Sequence, residues 1–158
     1  MKPNNFNVKG VWKEREGSVA EVHAGGHCII LNLCSVSGDV WDKDSELGLV
    51  SKRWPKGGLE YRRWYLGQYR FNLGNISEVN VQSTVCIANA LVKDAEGNFV
   101  PEALEKAIDR VGEMAYEYGS SVHVQKQGSE EDWNAVTELL KDKIIKRSKN
   151  VIVYSLKE

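Results

Sequence analysis

Apolar residues along this chain gather in two kinds of stretch that take turns from one end to the other. Nearly continuous apolar runs, or runs rich in β-branched residues, predict strands at residues 6–12, 27–34, 76–81, 84–92, 121–124 and 151–156. Two of them, HCIILNLC at 27–34 and VIVYSL at 151–156, have little polar interruption, the pattern of strands covered on both faces. Elsewhere Leu104, Ala107, Ile108, Val111, Ala115 and Tyr118 recur at helical spacing and predict a helix over 101–118. Pro101 suits its first turn and Gly119 its left-handed stop. A second helix is predicted to start near Ser129, an N-cap followed by Glu130, Glu131 and Asp132, and to bury Trp133, Val136, Leu140 and Ile144. A third helical region, 45–66, breaks at Trp54-Pro55, because proline disfavours helical backbone in the residue before it. Strands interleaved with helices predict a mixed α/β architecture.

The 158 residues fit a single domain, and no repeat, low-complexity tract or linker divides them. With 42% hydrophobic and 27% charged residues the composition is that of a globular chain. A formal net charge of -1 gives no field for a polyanion, so nucleic acid is not favoured as a partner. Residues 1–9 are polar and no apolar run approaches the roughly 20 residues of a membrane span, so neither a secretory signal nor a membrane contact is expected. Cys28, Cys34 and Cys86 lie in apolar runs without metal-ligand spacing and read as small buried hydrophobes in a reducing cytoplasm. His23, His27 and His123 are scattered and read as structural, so no metal and no cofactor is expected.

Several ordered segments carry a family resemblance. Residues 41–65, WDKDSELGLVSKRWPKGGLEYRRWY, resemble the helix pair of a macro-domain subfamily that reads roughly WGxGFVLAISKRWPxPExxYRxWY. Residues 73–91, LGNISEVNVQSTVCIANAL, resemble its LGxVQFVQVExDIWVANMI. The SVH, DW and VIVYSL elements of 121–156 follow in the same order. The resemblance spans roughly residues 27–158. It implies a three-layer α/β/α domain around a mixed central sheet, with ADP-ribose in a cleft at the strand ends. It also implies an early carboxylate for the adenine amine and two glycine-rich loops whose backbone N–H groups receive the pyrophosphate and distal ribose.

At each of those parts this sequence differs. The nearest match to the adenine carboxylate is Val11, which cannot accept a hydrogen bond; Asp39 and Glu14 are the alternatives. The first loop keeps one glycine, Gly38, and places Asp39, Asp42, Asp44 and Glu46 where a doubly charged pyrophosphate would sit. The second is about two residues shorter, with Lys126, Gln127 and Gly128 ahead of the helix acids. Lys126 and Gln127 could contact another polar ligand. Trp41, Trp54, Trp64, Tyr61 and Tyr65, with Arg53, Arg62 and Arg63, suit helix packing or a protein interface.

The expectation is therefore a non-enzymatic binding or inhibitory module, acting on a protein partner or an ADP-ribose-like small molecule. The competing expectation is a working ADP-ribose binder or ADP-ribosyl hydrolase. There Lys93, at the end of the 84–92 strand, attacks the anomeric carbon and Glu130 or Glu131 serves as the acid or base.

Overall fold

The computed structural model describes residues 9–23 and 25–156. Strand β1 (Trp12–Glu16) leads through a short 3-10 turn (Val19–Glu21) to β2 (Cys28–Ser35). Helices α1 (Glu46–Arg53) and α2 (Pro55–Gly67) follow, then β3 (Ile76–Gln82) and β4 (Val85–Lys93). The chain ends with α3 (Pro101–Tyr118), β5 (Ser121–Gln125), α4 (Glu130–Lys143) and β6 (Val151–Ser155). The strands form one sheet in the order β1-β6-β5-β2-β4-β3. All neighbours run parallel except β3, which returns antiparallel along β4.

Alternation along β2 explains the layers. Ile29, Leu31 and Leu33 face one side and pack with Leu104, Ile108 and Val111 of α3 and Val136 and Leu140 of α4. Cys28 and Ile30 face the other, with Val50 of α1, Trp54 and Val19. Both faces of the central strands are thus covered, as parallel sheets require, and the sheet with helices on either side is a three-layer α/β/α domain.

The helix ends match their chemistry. Ser45 and Ser129 each accept a hydrogen bond from an amide in the first turn, Gly48 and Asp132 respectively. Pro101 opens α3, and Gly119 closes it in the left-handed region. Trp133, Val136, Leu140 and Ile144 are all buried. The three cysteines are free and buried, and burial pushes the Cys34 thiol up to about 12. No helix among the described residues is long and apolar enough to cross a membrane.

The first strand differs from expectation. Residues 6–8 lie outside the described residues, and the observed strand begins at Trp12, where the expected one ends, running through WKERE. Among the described residues it is an edge strand paired only with β6; its charged side chains stay exposed and no apolar alternation announces it.

His123 sits buried in β5 between the hydroxyls of Ser121 and Tyr154, at 2.7 and 2.9 Å. Burial pushes its imidazole down to about 4. The unfolded chain therefore takes up a proton near pH 6.5 that the folded chain refuses until about pH 4. Stability is full above that window and falls as pH drops through it. We expect His123 to contribute a loss on the order of 3 kcal/mol between pH 7 and pH 4. Urea denaturation of the parent and His123→Gln across that range measures it, the variant showing a shallower fall.

Candidate functional site

The five parallel strands end together at Glu16, Ser155, Gln125, Ser35 and Lys93. After β2 the chain turns onto the face carrying α1 and α2; after the neighbouring β5 it turns onto the face carrying α4. Adjacent connections that diverge open a crevice at the carboxyl ends of their strands. Its two lips are loop 36–45 and loop 126–129.

Loop 36–45 is folded on itself. Ser37 N donates to Ser35 Oγ at 3.0 Å and Asp39 N to Ser37 Oγ at 3.2 Å. Asp44 N donates to Asp42 Oδ1 at 3.0 Å and Ser45 N to the Asp42 carbonyl at 3.0 Å. Gly38 N donates to the hydroxyl of Tyr61 at 3.1 Å, and that hydroxyl donates to the Ser35 carbonyl at 2.6 Å. Arg62 holds the Gly38 carbonyl from the other side. Gly38 has φ +74, and a Cβ there would run into the Tyr65 ring. The one retained glycine is thus accounted for by packing against α2. Burial pushes the Tyr61 hydroxyl up to about 12, so it stays a donor.

Loop 126–129 is also committed. Lys126 N donates to the Tyr154 carbonyl at 2.8 Å, and its ammonium pairs with Glu130 at 3.5 Å. Gly128 takes φ +84 against the Phe99 ring, just before the Ser129 cap. Gln127 donates to the Gln125 carbonyl at 3.1 Å and accepts from the Lys93 ammonium at 3.0 Å. Because β2 lies between β4 and β5, this Lys93–Gln127 bond is a strap across the sheet position of β2.

Lys93 is half-buried, with its ammonium 5.0 Å from the Phe99 ring centroid. Burial lowers its pKa, and Cys34, Glu46 and Asp132 act in the opposite direction. The carboxylates that bear on it are therefore Glu46 and Asp132, in the first turns of α1 and α4. Glu130 and Glu131 are exposed, and Glu130 is drawn to Lys126. Sequence position alone could not choose among three successive acids. Asp132 follows Glu130 by two residues and so lies on another side of α4, and it is the one of the three whose charge bears on Lys93.

Next to Lys93 is a cavity of about 250 Å³, lined by Ser35, Ser37, Asp39, Trp41 and Tyr61 among others. Asp42 and Asp44 lie on the exposed outer part of the loop. Among the described residues no three His, Cys, Asp or Glu side chains are placed to hold a metal ion.

The adenine position needs correction. Val11 precedes β1 at the opposite end of the strands, bonded through its backbone to Asn150 and Val151, so it cannot line this crevice. Glu14 is mid-strand, where it accepts from the Trp12 indole at 3.0 Å. The residues that follow β1 at the crevice edge are Gly17 and Ser18. Ser18 caps the 3-10 turn, and the buried Gln125 accepts from Val19 N at 2.8 Å and donates to the Tyr154 carbonyl at 2.9 Å. Gln125 had no sequence signal as a site residue, since a polar residue closing a strand is ordinary, and Tyr61 stood out only within the aromatic cluster of the helix pair.

The sequence matches no family model and no curated protein. Solved structures do match. A macrodomain protein of Streptomyces coelicolor superposes with a TM-score of 0.84 at 29% identity, over 90% of this chain and 97% of that one. The macrodomain of Thermus aquaticus DarG gives 0.69 at 16% identity, over 94% and 99%. The fold is a macrodomain. A protein of unknown function from Bacteroides thetaiotaomicron shares it, with a TM-score of 0.83 at 21% identity over 92% of this chain and 98% of that one.

In this macrodomain the Tyr61 hydroxyl closes the first loop. Tyr61→Phe leaves Gly38 N and the Ser35 carbonyl without that partner, and we expect a loss of about 1–3 kcal/mol. Urea denaturation reads the loss, and amide hydrogen exchange reads faster exchange at Gly38 with the core strands unchanged.

Proposed function

We propose that this macrodomain is a non-catalytic binding module whose crevice does not hold ADP-ribose through the two loops. The observation that carries the reading is the internal bonding of both ends of loop 36–45: the amides of Ser37, Gly38, Asp39, Asp44 and Ser45 are already spent on Ser35, Tyr61, Ser37 and Asp42. An anion-binding loop needs such donors free and convergent. The neighbouring cavity of about 250 Å³ is also below the roughly 300–1,000 Å³ of sites that enclose a drug-sized ligand. A diphosphate there would further meet Asp39. Calorimetric titration with ADP-ribose is expected to give a dissociation constant weaker than about 1 mM. Saturable binding at about 10 μM or tighter overturns the reading.

One observation favours a second reading, ADP-ribosyl hydrolysis. Lys93 is a half-buried amine with a lowered pKa at the edge of that cavity, with Asp132 and Glu46 as its nearby carboxylates. A neutral amine there could attack an anomeric carbon while a carboxylate carries the proton to the leaving group. Incubation with an ADP-ribosylated acidic peptide separates the two. The first reading predicts no release; release by the parent chain that Lys93→Ala abolishes establishes the second.

A further inference from the structure

Loop 36–45, α1 and α2 enclose a groove of about 630 Å³ on the outer side of the helix pair. Its surface is largely apolar, with Trp41, Leu49, Pro55 and Leu59. Two strongly exposed apolar side chains line it, Val40 at 83% and Leu59 at 63%. Single exposed apolar residues are ordinary on a protein surface, but here projecting side chains and an apolar hollow share one patch.

The walls carry opposite charge. The loop contributes Asp39 and Asp44, with Lys43 between them; the helices contribute Lys52 and Arg62 and no carboxylate. Asp44 and Lys52 are both exposed, and neither belongs to an ion pair among the described residues. Arg62 is occupied by the Gly38 carbonyl, which leaves Lys52 as the free cation of the helix wall.

We infer that this groove is the interface of a homodimer, occupied by the same face of a second copy about a two-fold axis. An isologous contact requires one patch to supply both knob and hollow, and both signs of charge. This patch supplies them. Val40 and Leu59 of each copy enter the apolar hollow of the other, and the loop wall of each faces the helix wall of its partner. Asp44 then meets Lys52 twice, once in each direction. The inference does not depend on what the strand-end crevice binds.

Sedimentation equilibrium of the full chain tests it. The mass is expected to rise from 17.8 kDa to twice that value between about 1 μM and about 1 mM. Leu59→Asp, Asp44→Lys and Lys52→Glu are each expected to weaken association by about tenfold or more, since each places a like or unpaired charge in the contact. All three positions are exposed, so far-UV circular dichroism is expected to stay unchanged. Mixing the Asp44→Lys and Lys52→Glu chains is expected to restore parent-like association, because only the mixed pair opposes unlike charges at both contacts. A monomer throughout the concentration range overturns the inference, as does a dimer indifferent to Leu59→Asp, or a mixture no tighter than its single variants.

Discussion

The hydroxyl of Tyr61 lies between the Ser35 carbonyl and the Gly38 amide, and much of the crevice follows from that placement. Its ring is buried against Trp41, 4.8 Å between centroids, and against Phe71 at 6.0 Å. Helix α2 cannot slide to release it, because Asn89 of β4 donates to the Gly57 carbonyl while accepting from Asn32 of β2. A buried amide pair thus sets the height of the helix over the sheet, the helix sets the tyrosine, and the tyrosine sets the loop. A loop held that way has its amides around Gly38 already bonded, which is the reverse of what an anion-binding loop needs there.

The other lip is constrained from the opposite layer. Gln125 joins the end of β5 to the start of the 3-10 turn, and Gln127 extends from the next turn to Lys93. Gln125 uses its side-chain amide at three points and Gln127 at two, which spares the buried Gln125 its desolvation cost. The price is access: a ligand entering over β2 must displace the Lys93–Gln127 bond, or lie outside it. Freed of Gln127, the Lys93 ammonium would still face the Phe99 ring and feel the charges of Glu46 and Asp132. Those charges favour its charged form against burial.

Much of this architecture was legible in the sequence because the relevant signals are local and redundant. α3 carries an apolar stripe, a proline start and a glycine stop that agree, and α4 carries a serine cap with acids behind it. The central strands show through as continuous apolar runs because helices cover both their faces. The first strand was not legible, since an edge strand with exposed charges, Lys13 to Glu16, looks like a loop. Misplacing it moved the adenine position to Val11, at the wrong end of the sheet. The crevice was legible as a location but not as a set of contacts. No spacing rule reveals that Tyr61 reaches back over 23 residues to Gly38, or that the charge of Asp132 bears on Lys93.

Loop 36–45 is also where the two surfaces meet. Asp39, Trp41 and Tyr61 line the strand-end cavity on one side and the outer groove on the other. A wall one loop thick cannot move on one side without moving on the other, since Trp41 has Tyr61 against it and Tyr61 has the loop backbone in its grip. Anything seated in the outer groove would therefore stiffen the closed form of the loop. Any ligand that opened the loop to reach its amides would loosen the groove. Two sites that bias one element in opposite directions are coupled with a single free energy, and the coupling is the same whichever ligand binds first.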